Sequence, residues 1–156
     1  MKKKVRILLL TAGLILIVCL YCCSIAKKHS FYGTYKFKEV SYLSLLSSST
    51  IDYANEQMSG TKYIIGTDSF RIEYKENNIE IISPKYVIEE IPEKSPLLPD
   101  VHSIVGKGVK YQYTVYNKDG SKTGWRLYVS YDNIWVAKFI TTGDKETIME
   151  IDKLSK

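Results

Sequence analysis

Gly108-Val109-Lys110-Tyr111-Gln112-Tyr113-Thr114-Val115-Tyr116, the turn residues Asn117-Lys118-Asp119-Gly120, and Trp125-Arg126-Leu127-Tyr128-Val129-Ser130-Tyr131 decide the fold class of this chain. Val109, Tyr111, Tyr113 and Val115 alternate with Lys110, Gln112 and Thr114. After the turn, Trp125, Leu127, Val129 and Tyr131 alternate with Arg126, Tyr128 and Ser130. A third apolar run, Ile134 to Ile140, stands directly behind Asp132-Asn133. Period-two alternation of β-branched and aromatic residues, broken by Asn, Asp and Gly, predicts three antiparallel strands joined by hairpins. One face of this meander is apolar, so something must close over it.

Outward from that stretch, the chain continues to read as strands. Phe31 to Lys38 alternates Phe31, Gly33, Tyr35 and Phe37 against Tyr32, Thr34, Lys36 and Lys38, a first strand. Lys62 to Ile65 stops at Gly66. Phe70, Ile72 and Tyr74 alternate with Ser69, Arg71 and Glu73, and Asn77-Asn78 reads as a turn into Ile79 to Ile82. Lys85 to Ile91 is a further short strand. Glu146 to Asp152 closes the series, with Ile148 and Glu150 on one side and Met149 and Ile151 on the other. Between the first two strands the alternation lapses. There Thr50 can N-cap a short helix through Met58, with Asp52 in its first turn, Gly60 beyond its end and Ile51, Ala54 and Met58 on one stripe. All four prolines lie between Pro84 and Pro99, and Pro92 to Pro99 reads as a stiff extended loop.

Eight or nine short strands and one short helix predict an all-β fold. Sequential hairpins favour a small antiparallel up-and-down β-barrel, which removes edge strands. The facing of Trp135, Ala137 and Phe139 depends on the loop at Asp132-Asn133. A two-residue turn turns Lys138 inward, whereas a three-residue loop pairs Tyr131 with Trp135. The cost of burying Lys138 favours the longer loop.

The N-terminus is different in kind. Lys2, Lys3, Lys4 and Arg6 precede an uncharged run from Ile7 to Ala26, and Lys27-Lys28 closes it. Residues 1–28 therefore read as a signal peptide or an N-terminal membrane anchor, a hydrophobic helix with its N-terminus in the cytoplasm. Ser24-Ile25-Ala26 offers a cleavage site after Ala26, and Cys22 or Cys23 offers a lipidation site. Each of these fates places residues 29–156 outside the cell membrane, either tethered or secreted.

The chain has 22 basic and 17 acidic residues. Removing the four N-terminal cations leaves 18 against 17 in the body, interspersed, so no concentrated basic face points to nucleic acid. The three cysteines, Cys19, Cys22 and Cys23, all lie in the apolar run, so the body has no thiol nucleophile, disulfide or thiolate metal site. Only His29 and His102 supply imidazoles, and His102 stands alone in a predicted loop. No nucleophile motif, metal-binding spacing or phosphate-cradling glycine loop is present. Glu89, Glu90 and Glu93 read as solvated charge. No catalytic residue, metal or cofactor is expected, and an enzyme is not. The 13 tyrosines are the unusual feature. Tyr35, Phe37, Tyr111, Tyr113, Trp125 and Leu127 fall on the inward side, where they either fill a core or line a site for a small apolar ligand.

Gly33-Thr34-Tyr35, the helix ending near Ser59-Gly60-Thr61-Lys62-Tyr63-Ile64, the segment Pro84-Lys85-Tyr86-Val87-Ile88 and the closing aromatic hairpins give the chain a known look. Over roughly residues 31–152 it resembles the lipocalin-like, calycin-type proteins exported by low-GC Gram-positive bacteria. In lipocalins the first-strand aromatic is usually Trp with a late Arg over it; here these positions hold Tyr35 and Lys153. The resemblance implies a lipocalin-like barrel that binds a small apolar ligand or a cell-envelope component. The alternative is an envelope protein-interaction module, of the inhibitor or immunity type, with a filled barrel.

Overall fold

The structure is a computed structural model that describes residues 31–75, 77–91 and 99–156. The leader (residues 1–28), His29 and most of the proline loop (92–98) lie outside the described residues. The folded unit runs from Tyr32 to Lys156. Its elements in chain order are β1 (Gly33–Leu43), α1 (Ile51–Met58), β2 (Lys62–Ile65), β3 (Ser69–Tyr74), β4 (Asn77–Ile82), β5 (Lys85–Glu90), α2 (Val101–Val105), β6 (Tyr111–Tyr116), β7 (Lys122–Val129), β8 (Ile134–Thr142) and β9 (Lys145–Ser155).

All nine strands form one antiparallel sheet in the order β4-β3-β2-β1-β9-β8-β7-β6-β5. Each strand therefore pairs with its sequence neighbour, with one exception and one addition. The addition is β1 against β9, which joins the first strand to the last. The exception is β4 and β5, the two ends of the sheet, which are linked only by Ser83-Pro84. Ser83 takes a positive φ of 51° there, and its N–H donates to the Asp68 carbonyl at 2.8 Å.

The sheet bends until distant strands touch. Phe70 of β3 and Trp125 of β7 stand in the second and seventh places of the order, yet their ring centroids are 6.0 Å apart. Tyr86 of β5 donates its hydroxyl to the Gly66 carbonyl, at the β2–β3 turn, at 3.0 Å. β1 makes the corner. Its first residues, Gly33 to Lys36, pair with β2, and Lys36 to Leu43 pair with β9 across two irregularities, between Phe37 and Glu39 and between Val40 and Tyr42. Bulges of this kind bend a strand and sharpen its twist.

The concave face carries Tyr35, Tyr63, Ile65, Phe70, Ile72, Leu127, Val136 and Leu154, each at most 3% exposed. The opposite face of β7, β8 and β9 is also apolar. Tyr128, Trp135, Ala137, Phe139, Ile148 and Ile151 form a second core there, closed by Ile91, Val109 and the α2 residues Val101 and Val105. The expectation of one apolar and one polar face fails in these strands because α2 supplies a lid for the second side.

Several local expectations need correction. The β7–β8 loop is longer than either sequence alternative: Val129 pairs with Ile134 and Tyr128 with Trp135, leaving Tyr131 fully exposed. Lys138 thus shares the concave face with its partner Trp125, as the two-residue turn would have had it. Burial does not forbid this, because Lys138 sits exposed near the rim, opposite Glu150. The turn before β4 falls earlier than Asn77-Asn78. Tyr74 pairs directly with Asn77, and Lys75 takes a φ of 43°. His102 lies in α2 rather than a loop. α1 runs over the expected span, with Thr50 Oγ1 accepting from Tyr53 N at 3.3 Å, but it buries Ala54 and leaves Ile51 48% exposed. Gly124 is required by contact: a Cβ there would stand 2.6 Å from the Phe139 carbonyl oxygen.

Candidate functional site

The concave face brings together most of the aromatic residues singled out from the sequence. Tyr35 pairs with Tyr63, Phe37 with Leu154, Tyr113 with Leu127, and Trp125 with Lys138. Tyr35 and Leu127 are buried, at 3% and 0% exposed. Phe37, Tyr113 and Trp125 are only half-buried. Tyr111 shares their side of β6, but it lies at the strand end opposite Glu90 and is 46% exposed, so it stands at the rim. The face is packed around Tyr63, Phe70 and Leu127, and Phe37, Tyr113 and Trp125 keep part of their rings exposed. The phenols of Tyr35 and Tyr113 are raised above the ordinary tyrosine range by burial and stay neutral.

A carboxyl group sits among these rings. Asp152 of β9 is 3% exposed and accepts a 2.6 Å hydrogen bond at Oδ2 from the Tyr63 hydroxyl. Glu150 precedes it on the same face, and Lys138 stands opposite Glu150. Burial, with repulsion from the Glu150 carboxylate second, pushes Asp152 up to about 8. The Tyr63 hydrogen bond and the Lys138 charge pull the other way and are outweighed. Burial and the Asp152 charge drive the Tyr63 phenol well above its usual range, so it remains the donor. Asp152 Oδ1 is buried without a hydrogen-bond donor among the described residues. The arrangement can hold a proton at neutral pH or receive a donor from a bound molecule. Sequence reading missed Asp152 because one carboxylate in a strand carries no motif.

The outer face carries a second polar cluster, which the sequence reading took for solvated charge. Glu89 Oε2 accepts from Thr114 Oγ1 at 2.6 Å and from Gln112 Nε2 at 3.2 Å. Burial opposes its ionisation, but these donors and the nearby Lys122 and Arg126 charges outweigh it and hold the carboxyl below the usual range. Arg126, 4% exposed, bonds Glu146 and lies 3.7 Å over the Phe139 ring. Lys122 also reaches Glu146, at 3.0 Å. These pairs tie β5, β6, β7 and β9 together and are accounted for by structure alone. Lys153, the cation near the chain end, lies 5.8 Å over Trp135 rather than over Tyr35.

Gln57, Met58, Tyr74, Lys75 and Asn77 line an open cleft of about 270 Å³. It lies where the end of α1 meets the β3–β4 turn. Among the described residues no group of three or more His, Cys, Asp or Glu could hold a metal, and no helix is long and apolar enough to cross a membrane. No family model matches the chain, and neither curated proteins nor solved structures give a match.

Proposed function

We propose that residues 29–156 form a non-catalytic, lipocalin-like binding domain that works outside the cell membrane. In this reading the N-terminal apolar segment exports or tethers the domain. The bent sheet acts as an up-and-down barrel, and its open end takes a small apolar ligand or a cell-envelope component. The observation that carries the reading is the half-buried trio Phe37, Tyr113 and Trp125 on the concave face. Aromatic walls with a few polar groups are what small-molecule sites offer, and the Asp152–Glu150 pair would orient a ligand that donates a hydrogen bond. Support for the barrel comes from the β1–β9 ladder and the Phe70–Trp125 contact.

The full chain titrated with 1-anilinonaphthalene-8-sulfonate tests this reading. Trp125 and Trp135 are the two tryptophans. The Trp135→Phe protein should lose tryptophan emission saturably as the probe binds, and the Trp125→Phe protein should not. Unchanged emission from Trp125 would sink the ligand reading.

The alternative, a protein-interaction module, has one observation of its own. Leu45 and Leu46 are 100% and 69% exposed on a loop whose backbone is fixed by hydrogen bonds. Leu46 N donates to Ser44 Oγ at 3.2 Å, Ser47 N to the Ser44 carbonyl at 2.9 Å, and Ser49 N to Ser47 Oγ at 3.2 Å. An apolar pair held rigid in water is how interface anchors are presented. An envelope protein that co-purifies with the parent chain and is lost from the Leu45→Ser/Leu46→Ser variant would favour this alternative.

A further inference from the structure

The strand register lines up two rows of side chains across the concave face. In the first, Trp125 lies beside Lys138, Lys138 beside Glu150 and Glu150 beside Leu43. The next inward-facing positions along the same strands are Leu127, Val136, Asp152 and Val40. Solvent reaches the first row, where Lys138 is exposed and Trp125, Glu150 and Leu43 are half-buried. It does not reach the second, in which no member is more than 6% exposed. Asp152 is thus a carboxyl one step behind a wet rim, with apolar neighbours on both adjoining strands. Its two oxygens differ. Oδ2 accepts from the Tyr63 hydroxyl at 2.6 Å, whereas Oδ1 is buried with no donor among the described residues. Buried carboxyls are ordinarily paired. Lys138 does not fill that role: it is exposed, and among the described residues it joins no ion pair.

We propose that the ligand of this face is an amphipathic amine, whose ammonium group donates to Asp152 Oδ1 and to Glu150 while its apolar body lies toward the rim on Trp125. The proposal rests on the ligand-binding reading above and names the class of molecule. Charge separates the candidates. An anion meets two carboxyls, and its one counter-charge in the two rows, Lys138, stands out in the water. A neutral hydroxyl donates to Oδ1 but leaves in place the Glu150 repulsion that, after burial, pushes Asp152 up. An ammonium supplies donors to both carboxyls and cancels that repulsion. Charge-assisted hydrogen bonds of this kind are about twice as strong as neutral ones, and exclusion of water strengthens them further. Spacing bounds the size. β8 separates β7 from β9, so Trp125 and Asp152 stand two strand spacings apart, about 10 Å. An amine borne on one fused ring system covers that distance.

Three probes with one ring system and different charge test this: 1-naphthylmethylamine, 1-naphthylmethanol and 1-naphthoate, which are cationic, neutral and anionic at neutral pH. In calorimetric titrations of the full chain, the amine should bind at least about tenfold more tightly than either of the others. That comparison is made on the parent chain and needs no variant. Asp152→Asn should then bring the amine down to the level of the alcohol and leave the alcohol unchanged, and Glu150→Gln should weaken the amine by a smaller factor. Circular dichroism checks that both variants are folded. Trp125 emission, read in the Trp135→Phe protein, should change as the amine saturates. Equal or tighter binding of the alcohol or the naphthoate would overturn the amine assignment and leave the ligand reading standing. So would an amine affinity indifferent to Asp152→Asn, or no amine binding where 1-anilinonaphthalene-8-sulfonate still quenches Trp125. If none of the three binds and the sulfonate probe leaves Trp125 unchanged, both readings fall together.

Discussion

Asp152 carries the largest electrostatic cost on the concave face. Its carboxyl titrates near 8 in the folded chain and near the usual aspartate value when unfolded. Between those values the folded form binds more protons than the unfolded one, so stability falls as pH rises through that window. The part of the stability that Asp152 controls is fully present below about pH 4 and lost as pH rises through 8. Asp152→Asn keeps an acceptor for the Tyr63 hydroxyl and a donor for Glu150 but carries no charge. Thermal melts should show a higher Tm for this variant at pH 8, by roughly 5 °C or more, with the difference vanishing toward pH 4. Equal slopes of Tm against pH in parent and variant would contradict the assignment. The side chain's direction was hidden in the sequence for a specific reason. Alternation along β9 puts Ile148 and Glu150 on one side, but the register slips between Lys138 and Phe139, and Met149 is the extra residue. Ile148 consequently packs with Ile151 in the second core, while Glu150 and Asp152 face the rings.

At the scale of elements, the hairpins were legible because each is local. Asn117 N donates to the Ser121 carbonyl at 2.9 Å, Gly120 takes a φ of 90°, and Asp119 Oδ1 accepts from Ser121 N at 2.8 Å, as the Asn-Lys-Asp-Gly turn promises. α1 was legible through its Thr50 cap. α2 was not. Val101, Ile104 and Val105 have helical spacing, but the segment spans only five residues and follows a proline-rich stretch. Its stability comes from the sheet, since a lone helix so short does not form in water. Val105 is 4% exposed against that second core. Val105→Ala should therefore cost about 2 kcal/mol of unfolding free energy in a denaturant titration. A loss below about 0.5 kcal/mol would mean that α2 merely rests on the surface.

For the whole molecule, sequence order predicts strand order everywhere that neighbours pair, which covers most of the sheet. The two features that define its shape are non-local: the ladder between β1 and β9, and the open seam between β4 and β5. No spacing rule encodes either one; both follow from how far the bulged β1 turns the sheet. The aromatic candidates came out on the concave face because period-two alternation is sound within a strand, and Tyr111 strays only because β6 begins there. Since β9 lies between β1 and β8, ending the chain after Asp144 removes a central strand and strips β1 and β8 of one neighbour each, cutting the sheet in two. Such a chain should show no cooperative melt and be digested quickly by protease, whereas a chain lacking only Lys156 should behave as the parent. The same placement sets a timetable. β1 ends at Leu43 and β9 begins at Lys145; at about 5–20 residues per second, the earliest ribbon waits on the order of 5–20 s for its last neighbour to leave the ribosome. Until then β1 holds one edge bare, and no part of the sheet that depends on both ends of the chain can close.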